Sequence, residues 1–150
     1  RRVDLRDLVE SFVTARQATT ETHKLRFVAG DNEVPVMVQD GRIVQILDNL
    51  LGNAVSFAPA CTNIDFAVSL ADDGSACIEV CDQGSGIPEG RLNEVFKRFY
   101  SERPEGEAFG EHSGLGLSIA QQIAQGYGGD LVASNRDGAC FTLTLPRSEI

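Results

Sequence analysis

From Asp40 to Pro59 the apolar residues Ile43, Ile46, Leu47, Leu50, Leu51 and Ala54 recur at intervals of one, three and four, until the proline ends the pattern. The spacing predicts a helix capped by Asp40. Its apolar arc is too wide to leave in water, so the rest of the chain has to supply a second layer that covers it. Most remaining apolar runs are of strand length. Residues 63–70 and 75–81 flank Ala71-Asp72-Asp73-Gly74, and 130–134 and 139–145 flank Asn135-Arg136-Asp137-Gly138, which predicts two hairpins. Residues 25–28 and 34–38 flank Ala29-Gly30-Asp31-Asn32 and predict a third.

Two more helices frame these strands. Leu5, Leu8, Val9, Phe12 and Val13 mark one within residues 4–20, and Leu115, Ile119, Ile123 and Ala124 mark another, capped near Ser113 and stopped by Gly128-Gly129. Residues 89–100 predict a short helix ending in Phe96-Lys97-Arg98-Phe99-Tyr100, while 101–113 are polar, aperiodic and read as a loop. Strands and helices come in mixed runs without regular βαβ alternation. This order predicts an α+β fold, a two-layer α/β sandwich with an antiparallel or mixed sheet and its helices on one face.

At 150 residues the chain fits one domain. Thirteen Lys and Arg against 22 Asp and Glu give a net charge of −9, a field that repels nucleic acid and anionic membrane surfaces. No apolar run is long enough to cross a bilayer. The four cysteines, Cys61, Cys77, Cys81 and Cys140, form no CxxC pair and have only two His beside them, so they read as small core residues kept reduced in a cytoplasm.

Four segments carry possible chemistry. Asn49 and Asn53 are four apart, on one side of the predicted helix, and an Asn amide oxygen is a hard neutral ligand suited to Mg²⁺. Alternation through Ile78 and Val80 turns Asp82 toward the helical layer, where a buried carboxylate needs a donor such as an adenine amino group. Gly84 and Gly86 would let a flat base come close to the backbone. The glycine-bearing run from Gly110 through Ser113, Gly114, Leu115, Gly116 and Leu117 leads into a helix, whose free N–H groups suit a polyphosphate. Lys97, Arg98 and Arg103 form a local basic patch in an acidic chain. Taken singly, each has a plain alternative: fringe Asn on an amphipathic helix, an Asp opening a turn, a loop-to-helix junction, a solvated face over buried Phe.

Taken together and in order, these segments resemble the N, G1, F and G2 boxes of the catalytic ATP-binding domain of bacterial sensor histidine kinases, a superfamily shared with DNA gyrase B and a heat-shock chaperone. The resemblance runs from about Val3 to Pro146. It implies the family's Bergerat fold, a five-stranded mixed sheet packed on three helices, across a single domain. It implies further that Asn53 holds Mg²⁺ bridging the phosphates of ATP, with Asn49 beside the same phosphates. Asp82 would accept the adenine amino proton, with Gly84, Gly86, Ile87 and Phe57 near the base. Ser113, Gly114, Leu115, Gly116 and Leu117 would hold the phosphates under a lid of about 101–113, with Lys97, Arg98, Tyr100 and Arg103 at its rim.

Other consequences of the resemblance concern what lies around the domain. It implies a γ-phosphoryl transfer to a histidine on dimerisation and phosphoacceptor helices that precede residue 1, since neither His23 nor His112 sits in a phosphoacceptor context. A response regulator would act downstream, and the parent would be a homodimeric inner-membrane sensor of which this is a cytoplasmic domain. Relatives that hydrolyse ATP place Glu where Asn49 stands, and Asn cannot activate water. Ser56, Ser101 and Glu111-His112 depart from the family pattern and keep a second reading open, a degenerate module that docks on a partner kinase. With Tyr100-Ser101-Glu102-Arg103-Pro104, these departures resemble the ChvG-type envelope sensors.

Overall fold

The computed structural model describes residues 2–87, 92, 96, 116–136 and 138–146. Its elements in chain order are β1 (Arg2–Asp4), α1 (Leu5–Gln17), β2 (Lys24–Ala29), β3 (Pro35–Met37), α2 (Asp40–Phe57), β4 (Asn63–Leu70), β5 (Ala76–Cys81), α3 (Gly116–Gly126), β6 (Asp130–Asn135) and β7 (Ala139–Leu145). Five strands form one sheet in the order β2-β4-β5-β7-β6, with β2–β4 parallel and the other pairs antiparallel. Among the described residues this is the five-stranded mixed sheet packed on three helices that the resemblance implies.

The two later hairpins form as expected, β4 with β5 and β6 with β7. The first does not. Instead β2 pairs in parallel with β4, from Lys24↔Asn63 to Ala29↔Val68, with α2 crossing between them. Strand β3 turns away to pair with β1, three residues that periodicity did not mark, in a separate two-stranded ribbon. Asp4 fastens that ribbon, because its Oδ1 accepts from Arg6 N at 3.1 Å, capping α1, and from Val34 N at 2.8 Å. Helix α2 starts one residue earlier than expected: Gln39 is the cap and Asp40 lies in the first turn, where its charge still favours the helix dipole.

The core fills the space between the helices and one face of the sheet. Ile43, Ile46, Leu47 and Leu50 of α2 are fully enclosed, as are Ile64 and Phe66 of β4, Ile78 of β5 and Leu143 of β7. Phe12 of α1 meets Phe66 ring to ring at 5.7 Å. On α3 the buried residues are Ser118, Ala120 and Ala124, whereas Ile119, expected inside, is more than a third exposed. Small residues there allow close approach to α2, and the stripe is rotated accordingly. The opposite face of the sheet carries ion pairs, Arg26 with Asp65 and Arg136 with Glu79.

The cysteines correct the sequence reading. Pairing of β5 with β7 sets Cys81 opposite Cys140 with their Cα atoms 4.1 Å apart, and the two are joined by a disulfide. Cys61 is exposed and Cys77 half-buried, so neither is the small core residue expected. The predicted helix 89–100, apart from Leu92 and Phe96, and the loop 101–113 lie outside the described residues.

Candidate functional site

Asn49, Asn53 and Phe57 follow one another at four-residue steps along one side of α2, between the loop after β5 and the start of α3. The Asn49 amide donates from Nδ2 to the Gly116 carbonyl at 3.1 Å. A Cβ on Gly116 would stand 3.7 Å from the Asn49 amide, so the helix start packs directly on that side chain. Leu117, the next residue, is half-buried and packs against the core. Asn53 is 7% exposed, and its Nδ2 has no hydrogen-bond partner among the described residues. A buried amide left open in this way needs a partner that those residues do not supply. The open Nδ2 donor suits an acceptor such as a phosphate oxygen, whereas the oxygen of the same amide is the kind of ligand that suits a hard cation keeping some of its waters.

Asp82 follows β5 directly and is 4% exposed, turned into the helical layer as alternation predicts. Its Oδ1 accepts from Gly84 N at 2.8 Å and from Ala139 N at 3.2 Å, while its own N–H donates to the Ala139 carbonyl at 2.9 Å. The carboxylate is therefore fixed from both sides, by its own loop and by β7. Gly138 makes this possible, since its φ is 145° and a Cβ on it would strike the Asp82 carbonyl.

The two glycines after Asp82 have reasons within the protein itself. A Cβ on Gly84 would come 2.8 Å from the Phe57 carbonyl, so the end of α2 lies against this loop. Gly86 has φ 85°, and a Cβ on it would come 2.8 Å from Asn135 Oδ1. Asn135 is a residue that sequence reasoning passed over as part of a turn. Its Oδ1 accepts from Ile87 N and its Nδ2 donates to Ile87 O, both at 2.8 Å, imitating one rung of a sheet. Ile87 is buried beneath this clamp. Next to it, the Glu79 carboxylate takes two hydrogen bonds from Arg136, at 3.0 and 2.9 Å, and holds that guanidinium above its ordinary range.

His23 was weighed only as a phosphoacceptor. It is buried, with Nδ1 2.8 Å from Thr22 Oγ1 and Nε2 3.1 Å from the carbonyl of Ala58, where α2 ends. No periodic or motif signal points to that role. Of the predicted site residues, the structure sets Gly116 against Asn49, brings Gly84 to Asp82 and to the Phe57 carbonyl at the end of α2, and places Gly86 and Ile87 against Asn135. Lys97, Arg98, Tyr100, Arg103, Ser113, Gly114 and Leu115 lie outside the described residues.

The loop that follows the Asp82 carboxylate thus lies against the end of the helix that carries the two amides. Residues 38–149 match the family described as histidine kinase-, DNA gyrase B- and HSP90-like ATPase, and the chain belongs to it. The match takes in α2, the loop after β5, and α3, each of which builds the site.

Its relatives include sensor protein ChvG of Rhizobium meliloti (strain 1021), 41% identical over 97% of this chain and 28% of that protein. The ChvG-type likeness read from residues 100–104 thus extends over the chain, which spans little more than a quarter of that relative's length. Among solved structures, the ATP binding domain of PrrB from Mycobacterium tuberculosis is similar with a TM-score of 0.76 and 26% identity, covering 99% of this chain and 98% of that one. Full-length ShkA in complex with AMPPNP shares the fold with a TM-score of 0.82 at 23% identity, over 99% of this chain and 31% of that one.

Proposed function

We propose that this chain is the ATP-binding, phosphoryl-donating domain of a sensor histidine kinase. The observation that carries the reading is Asp82, a buried carboxylate held by two backbone N–H groups directly after β5. In this reading Asp82 accepts the amino group of adenine. Phe57 and Ile87 flank the base, and Gly84 and Gly86 shape the loop that bounds it. Asn53 and Asn49 face the phosphates, and Asn53 would hold Mg²⁺. When bound, that ion supplies neutralisation of charge on the phosphates. Gly116 and Leu117 stand at the start of α3, and in this reading they and Ser113, Gly114 and Leu115 would contact the same phosphates. Lys97, Arg98, Tyr100 and Arg103 would add contacts to the nucleotide, and residues 101–113 would be its lid.

The chain's own residues bind and orient ATP, and the amide at position 49 cannot act as a base for water. An imidazole nitrogen from phosphoacceptor helices of the parent would form the new bond to γ-phosphorus as the bond to ADP breaks. The phosphoryl group would then pass to an aspartate of a response regulator. The parent would be a dimeric membrane sensor with this domain in the cytoplasm. Family membership and the complex of ShkA with AMPPNP support the nucleotide part of this reading.

Equilibrium titration of Asn53→Ala tests it. The variant is expected to lose at least tenfold in affinity for Mg-ATP, about 1.4 kcal/mol, with adenosine binding unchanged. Equal losses for both ligands would remove Asn53 from the phosphates. Failure of the unaltered chain to bind Mg-ATP at all would favour the docking module.

A further inference from the structure

The Cys81–Cys140 bridge lies against the proposed purine site at two points of the chain. Cys81 is the residue before Asp82, and Cys140 is the residue after Ala139, whose N–H and carbonyl both bond Asp82. The two cysteines sit at one register position of β5 and β7. By alternation they share the face of the sheet turned away from the helices, while their neighbours Val80 and Phe141 face the core. Cys140 is fully enclosed, whereas Cys81 is half-buried. Of the two, Cys81 is the cysteine with exposed surface, so attack from solvent is directed at it.

We infer that the Cys81–Cys140 pair is a thiol–disulfide exchange site linked to nucleotide binding. The linkage rests on the assignment of Asp82 to the purine. A dithiol reductant attacks Cys81 Sγ through one thiolate, forming a mixed disulfide and releasing Cys140 as a thiolate that takes up a proton. The second thiol of the reductant then displaces Cys81, which leaves as a thiol, and the reductant departs as a cyclic disulfide. Two electrons and two protons pass to the pair, and exchange with an oxidised dithiol reverses the reaction. Cross-links of this kind in reducing compartments are usually transient or redox-sensing.

The coupling follows from position. The bridge ties β5 to β7 at the register position next to the Asp82–Ala139 pair, so breaking it removes the covalent tie beside the bonds that hold Asp82. Cys140 is fully enclosed within β7, whereas Cys81 is the last residue of β5, so release of the tie is felt at that strand end. The next residue is Asp82. Reduction loosens the rung that fixes this carboxylate, and the oxidised chain binds Mg-ATP about fivefold more tightly, the lower end of ordinary coupling between sites. By linkage, saturating Mg-ATP makes the bridge harder to reduce by the same factor.

The test uses the chain with Cys61→Ser and Cys77→Ser, so that only the pair remains. Diamide oxidation is expected to leave no titratable thiol and dithiothreitol to restore two, with Mg-ATP affinity about fivefold higher in the oxidised form. In that background Cys81→Ser is expected to bind like the reduced form and to ignore the oxidant. Two thiols persisting after diamide, equal affinities, tighter binding by the reduced form, or an oxidant response surviving in Cys81→Ser would each overturn the inference. Absence of binding in both redox states would instead sink the ATP reading on which it rests.

Discussion

Replacing Asp82 by Asn separates recognition from support, because the amide keeps the shape of the side chain and loses its charge. In the protein, Oδ1 accepts two backbone N–H groups, from Gly84 and Ala139. Hydrogen bonds to a charged acceptor contribute about 1.5–3 kcal/mol and neutral ones about 0.5–1.5, so two bonds weakened by about 1 kcal/mol each give a loss of about 2 kcal/mol in stability. Meeting both N–H groups requires the amide oxygen to stay where Oδ1 is, which turns the NH₂ group toward the ligand. An adenine amino group then faces a donor, and the loss in ATP affinity reaches about 3 kcal/mol, roughly a hundredfold. Inosine triphosphate carries an acceptor at the same position and is expected to bind the variant better than ATP does, reversing the wild-type preference. Calorimetric titration with both nucleotides, beside a thermal melt, reads the two effects separately. An Asn variant that melts lower as expected, yet binds ATP within threefold of wild type and still prefers it to inosine triphosphate, would reduce Asp82 to a loop fastener.

Two further substitutions probe the surroundings of that carboxylate and of the sheet. Asn135→Ala leaves the Ile87 N–H and C=O without their side-chain partners, and a loss of about 1–2 kcal/mol is expected as a lower urea midpoint at unchanged slope. In the turn between β4 and β5, the Ser75 hydroxyl and then its N–H donate to Asp73 and hold that carboxyl below its ordinary range. Because the folded value is depressed, the stabilisation is present above the unfolded value and is lost as pH falls through the folded one. Ser75→Ala is expected to move the Asp73 carbon-13 titration to higher pH, and an unmoved titration would refute the assignment.

Elements closed by local chemistry were readable in advance. The 3.6-residue pattern marked α2, and Ala71-Asp72-Asp73-Gly74 and Asn135-Arg136-Asp137-Gly138 marked their hairpins, because each signal lies within the residues it organises. The turn at 29–32 misled, since it joins strands that leave for different sheets, and the parallel partner of β2 lies beyond an intervening helix. The sequence also placed Asn49, Asn53 and Asp82 on the correct faces. It did not disclose Asn135, whose clamp on Ile87 depends on how β6 ends beside a loop 48 residues away. Nor did it disclose the Cys81–Cys140 bridge, which exists because β5 and β7 pair in one particular register across 59 residues.

The outermost strands of the sheet, β2 and β6, have a bearing on behaviour in concentrated solution. Each carries an apolar residue to the surface, Val28 at 55% and Val132 at 49% exposure, and among the described residues each has one backbone side without a strand partner, where a stray chain can add itself. Lys24 and Arg26 stand on one of these strands and Asp130 on the other. An incoming strand would have to strip water from those charges before its amides could bond, so they act as gatekeepers against accretion into fibrils.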